Sequence, residues 1–82
     1  MKKRKLLQKI LASPHNVRFA DLCSLAEAFG YKLDRVKGSH HIFQHPQADR
    51  PLNFQNDRGK AKPYQVRQFL RDIEEFRLAL NE

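Results

Sequence analysis

The stretch Lys37-Gly38-Ser39-His40-His41-Ile42-Phe43-Gln44-His45-Pro46 decides how the rest of the chain is read. Gly38-Ser39 is a turn signal, and the residues after it alternate at period two. His41, Phe43 and His45 therefore share one face of a strand, and His40, Ile42 and Gln44 share the other. Pro46 ends the strand, because proline cannot donate to a ladder. Three of the chain's four histidines fall within these ten residues. Imidazole has the unperturbed pKa nearest neutrality, so this face is where proton transfer at physiological pH is to be sought.

Outward from that strand, Tyr31, Leu33 and Arg35 alternate with Lys32, Asp34 and Val36 as a half-buried strand, joined to the histidine strand by a tight hairpin at Lys37-Gly38-Ser39. Beyond a polar loop over 47–51, Leu52-Asn53-Phe54-Gln55 reads as a third short strand with Leu52 and Phe54 inward. Before the sheet, Phe19, Leu22, Ala26 and Phe29 lie on the stripe of a helix from Phe19 to Phe29 that Gly30 stops. An earlier amphipathic helix over Lys2 to Ala12 carries Leu6, Leu7, Ile10 and Leu11, and Ser13-Pro14 closes it. After a polar loop over 56–62, Pro63 opens a long helix whose stripe is Val66, Phe69, Leu70, Ile73, Phe76 and Leu80, with Leu78 off it. These elements predict one α+β domain over residues 1–82, a three-stranded antiparallel sheet with helices on one face and the other face and the loops left for a ligand.

Composition narrows the partners. Sixteen Lys and Arg against nine Asp and Glu give a formal net charge of +7 and a pI near 10.0, which favours a polyanion, nucleic acid first. No apolar run reaches membrane-span length and the basic start lacks a signal-peptide pattern, so the expectation is a soluble, cytoplasmic protein without a membrane role. Cys23 is alone, which leaves no internal disulfide and no thiolate metal cage; it reads as a small core hydrophobe. His41 and His45 have no acidic or thiol neighbour in their run, a poor zinc set, so no metal or cofactor is expected.

For a basic chain with a nucleic-acid partner, RNA cleavage is one chemistry open to these residues, beside plain RNA binding and histidines that are simple surface residues. RNA carries its own nucleophile in the 2′-hydroxyl, so a ribonuclease needs a base for that proton, cations for the developing phosphorane charge and an acid for the departing oxygen. His41 fits the base, and His45 along the same face is the candidate acid. Lys37, Ser39 with its turn amides, Lys60 and Lys62 are candidate phosphate ligands. The last two lysines precede a helix start that has no Ser, Thr, Asp or Asn cap, where a bound phosphate would satisfy the open amides.

The run Gly38-Ser39-His40-His41-Ile42-Phe43, with the Phe29-Gly30-Tyr31 junction before it and Gly59-Lys60-Ala61-Lys62-Pro63-Tyr64 after it, resembles the HicA toxins of bacterial toxin–antitoxin systems. The resemblance spans about residues 19 to 79 and is most specific at Gly-Ser-x-His. It implies a double-stranded-RNA-binding-domain-like α-β-β-β-α fold, with residues 1–12 an added N-terminal helix. It also implies a metal-independent endoribonuclease acting on messenger RNA, an mRNA interferase, whose essential histidine is His41 and whose partner is a HicB-like antitoxin. The Pro-x-His that often closes the third strand in that family is replaced here by Gln55-Asn56-Asp57. Two other readings of the residues stand beside it: a non-catalytic RNA-binding module of the same fold, and a small protein-interaction adaptor.

Overall fold

The computed structural model describes residues 3–81. Two helices, α1 (Lys3–Ala12) and α2 (Phe19–Ala28), precede β1 (Lys32–Lys37), β2 (His40–Gln44), β3 (Leu52–Asp57) and β4 (Lys60–Ala61), and α3 (Pro63–Glu75) follows. The strands form one antiparallel sheet in the order β1-β2-β3-β4. Cross-strand partners share a face. Leu33, Phe43 and Leu52 therefore line one side together, as do Val36, His41 and Phe54. The buried members of these rows, Phe43, Leu52 and Phe54, face α2 and α3, so this is the helix-covered side.

Phe69 of α3 is at the hub of the core: it has no exposure, and its ring meets those of Phe29, Tyr31 and Phe54 edge-on at centroid separations of 5.7–6.0 Å. Ile10 fastens α1 to this core, and Lys3 donates from Nζ to the Asn81 carbonyl at 2.8 Å. Leu11, expected on the same stripe, is instead more than half exposed. Asp72 is wholly buried; its Oδ1 accepts from Arg50 at 2.7 Å and from Gln68 at 2.8 Å. Arg50 also reaches Glu75 and lies 5.0 Å over the Phe76 ring, pinning the loop before β3 to the end of α3. Those two carboxylates hold the guanidinium even further above its usual range.

Four expectations are corrected. The sheet has four strands rather than three, because the stretch read as a loop over 56–62 is a hairpin. Arg58 (φ 55°) and Gly59 (φ 86°) both take positive φ, the backbone of a turn whose twist matches its flanking strands. Asn56 Oδ1 braces it by accepting from the Gly59 amide at 2.7 Å. The first strand begins at Lys32, and all six of its residues are exposed rather than half-buried. It is an edge strand whose pairing skips Asp34 in a bulge, so it overhangs the helix layer.

The last helix stops at Glu75 instead of running to Leu80. Arg77 turns left-handed at φ 52°, its amide bonds the Glu74 carbonyl, and the Leu78 amide bonds the Ile73 carbonyl, a Schellman closure. Leu78, off the helical stripe, is thereby carried into the core. Finally, β2 ends at Gln44, so His45 belongs to the following loop and not to the strand face.

Candidate active site

His41 lies on the helix-covered side of β2, between Val36 of the overhanging β1 and Phe54 of β3. The expectation leaves the open face and the loops for a ligand; the register puts His41 on the helix-covered side instead of the open face. The ring is half-buried and packs edge-on against Phe19 at the start of α2, 4.8 Å between centroids. Its Nδ1 is buried with no hydrogen-bond partner among the described residues, and Nε2 is not among the buried unpaired atoms. An unpaired buried ring nitrogen costs about 1–3 kcal/mol, and such costs concentrate where a site needs a fixed geometry.

Phe19 is held in place from the other end of the sheet. Its amide donates to the Gly59 carbonyl at 2.9 Å, and Arg18 bridges to Lys60, which ties the β3–β4 turn to the first residue of α2. The Ser39 carbonyl accepts from the Asn56 amide at 2.8 Å, so the Lys37–Ser39 turn is fixed to the same hairpin. Lys37 and Ser39 are exposed on that turn, and Gly38 adopts φ 61°, with open space where a Cβ would lie.

Lys60 and Lys62 flank Ala61 beside the start of α3, and Lys62 is the N-cap residue with no side-chain cap, as the missing Ser, Thr, Asp or Asn required. Lys60 Nζ donates to the neutral Asn16 Oδ1 at 2.9 Å, so its charge is not offset there. Lys62 lies 3.5 Å from Asp57 in a half-exposed pair, worth little in water. Arg18 and Arg58 stand exposed around the same turn, and sequence reading did not single them out. Their only local signal was charge; the Arg18–Lys60 bridge joins residues far apart in sequence.

The three histidines of the opening stretch thus separate. His45 spends both nitrogens on backbone: Nε2 donates to the Phe29 carbonyl at 3.0 Å and Nδ1 accepts from the Gln47 amide at 3.0 Å. Its ring also packs edge-on to Tyr31, and a Cβ at Gly30 would come within 2.9 Å of it, so His45 clamps the α2–β1 junction to the loop after β2. His40 points to the open face, where Nδ1 meets Asn53 Oδ1 at 2.9 Å. Cys23 is packed partly against the core, and burial, with Glu27 second, pushes its thiol up to about 11, which makes it a poor nucleophile near neutrality. Among the described residues no helix is long and apolar enough to cross a membrane.

A family model described as the HicA toxin of bacterial toxin–antitoxin matches residues 19–74, from the ring that supports His41 to the last turn of α3. Comparison with curated proteins and with solved structures gave no match.

Proposed function

The chain belongs to the HicA toxin family of bacterial toxin–antitoxin systems, and we propose that it is a metal-independent endoribonuclease, an mRNA interferase, in which His41 is the general base. The observation that carries this reading is the His41 ring itself, half-buried and wedged edge-on against Phe19 with its Nδ1 buried and unpaired. Nε2 takes the proton of a ribose 2′-hydroxyl; the O2′–P bond forms, the P–O5′ bond breaks, and the products are a 2′,3′-cyclic phosphate and a 5′-hydroxyl. His45 is the candidate acid by residue type, but donating to the departing O5′ would require its Nε2–H to leave the Phe29 carbonyl. Protonation of that oxygen from water asks less of the structure. The double-stranded-RNA-binding-domain-like likeness belongs to this reading too: helices on one sheet face leave the turns and helix starts for a phosphate backbone.

Incubation of the protein with single-stranded RNA in chelator tests the activity. New ends bearing cyclic phosphate are expected, and RNA with 2′-deoxyribose at the cut position should resist. Retention of RNA without any new ends would instead make the chain a binding module.

Lys37, Ser39, Lys60 and Lys62 bind phosphate in this reading, and Lys60, whose partner is uncharged, is less offset than Lys62, which pairs with Asp57. Lys60→Ala with Lys62→Ala should weaken RNA binding and flatten its salt dependence, by about 0.7 in log–log slope per lost contact on a single strand. A slope equal to the parent's would leave both lysines as ordinary solvated side chains.

Membership of a toxin family implies an antitoxin, and the HicB-like partner proposed here covers His41 and the Lys37–Ser39 turn with an acidic surface. A stable inhibitory contact of this kind buries above about 1,000 Å², and the exposed face of α1 can add to it. Chemical modification of His41 should therefore slow sharply in the complex. Equal reactivity in the free and bound protein would place the partner elsewhere, on the outer face of α3 for instance.

A further inference from the structure

A concavity of about 350 Å³ opens between β3 and the first turns of α3, lined among others by His40, Pro51, Asn53, Tyr64, Gln65 and Gln68. Among the described residues no Lys, Arg, Asp or Glu lines it, in a chain whose net charge is +7. A phosphate has no counter-charge here. What the groove offers is amide, imidazole and phenol, and most of those groups are already oriented. The Gln65 side chain is buried; its Oε1 accepts from the Gln55 amide at 2.8 Å, and its Nε2 donates to the Tyr64 hydroxyl at 3.4 Å. That contact steadies a tyrosine ring that is 59% exposed. The Gln68 amide is taken up by Asp72 and Arg71.

The polar edges left over belong to His40 and Asn53. An amide oxygen can only accept, so the 2.9 Å contact puts the proton on His40 Nδ1. Nε2 of His40 keeps its lone pair, and the Asn53 amide nitrogen keeps both hydrogens. One acceptor beside one donor, next to an exposed aromatic face, complements a flat heterocycle that carries a donor and an acceptor on one edge. That is the description of a nucleobase.

We propose that this groove is a nucleobase subsite for single-stranded RNA, in which Tyr64 stacks on the base while Asn53 donates to its edge and His40 Nε2 accepts from it. The proposal rests on the RNA-cleaving reading above and deepens it. His40 and His41 are consecutive, with side chains on opposite faces of β2, so a base seated against His40 limits which phosphodiester can reach His41. The subsite would set the base preference of cleavage, while the lysines supply affinity without preference.

The test uses the full chain titrated with the four nucleoside 5′-monophosphates, with ribose 5-phosphate as the ligand that has the phosphate but no base. NMR shifts at the Asn53 side-chain amide, the His40 ring and Tyr64 are expected with at least one nucleotide and not with ribose 5-phosphate. Tyr64→Ala should weaken that binding roughly 5- to 150-fold, the range for losing one stacked base, and Tyr64→Phe should restore it. In cleavage assays Tyr64→Ala should still cut but with a flattened base preference. Equal shifts with ribose 5-phosphate, unchanged affinity in Tyr64→Ala, or occupation of the groove by the antitoxin and by no nucleotide would each overturn the proposal. The binding arm does not depend on turnover, so a parent that cuts no RNA overturns the cleavage reading while the titration still decides the groove.

Discussion

His41→Ala should lower RNA cleavage by at least about 100-fold, the lower end of what a positioned general base contributes, and should abolish growth inhibition. The ring is half-buried against Phe19, so truncation also removes packing, at about 1 kcal/mol, a typical single-substitution cost. His41→Gln separates the two effects, because it keeps most of the volume but cannot accept a proton at neutral pH. Both variants should melt close to the parent and both should fail to cut. His40→Ala is the informative neighbour: its side chain points to the other face, so it should still cut, but with the altered base preference expected from losing one contact of the base subsite. If His40→Ala lost activity while His41→Gln kept it, the base would be assigned to the wrong member of the pair.

The largest effect on stability is expected at Phe69. It is completely buried and its ring contacts three other aromatic rings, from the end of α2, the junction before β1, and β3. Phe69→Ala should cost about 3–5 kcal/mol, the transfer of the lost ring plus the cavity left behind. Domains of this size have only about 5–15 kcal/mol in total. The melting temperature should fall by on the order of 20 °C, read by thermal circular dichroism. A fall below about 5 °C would mean that the surrounding rings collapse into the space. Phe69→Leu should recover part of the loss, since it refills much of the volume without the edge-on ring contacts.

The local elements were legible in the sequence because they depend on neighbours in the chain. Apolar spacing marked α2 and α3, Gly30 and Pro63 marked their junctions, and period-two alternation marked β2 and β3 with Leu52 and Phe54 inward. Gly38-Ser39 marked the hairpin beside His41. The Gly-Ser-x-His run and its flanks were enough to indicate the family that the match over residues 19–74 shows.

Where local sequence misled, either a turn conformation its residues do not favour or a distant packing contact decided. Arg58 and Arg77 both take positive φ, which no propensity assigns to arginine; each is held there by a closed hydrogen-bonded turn. One makes β4 out of an apparent loop, and the other ends α3 early and buries Leu78 in place of Leu80. Alternation in β1 predicted a buried row, yet burial requires something to pack on it, and an edge strand beyond the helix layer remains exposed. The same holds for the histidines: period two sorts His40 from His41, but cannot say which side the helices cover. Only the tertiary structure puts His41 against Phe19, commits both nitrogens of His45 to backbone, and pairs His40 with Asn53. Local sequence determines which way a side chain points relative to its neighbours, and the packing of distant segments determines what it meets there.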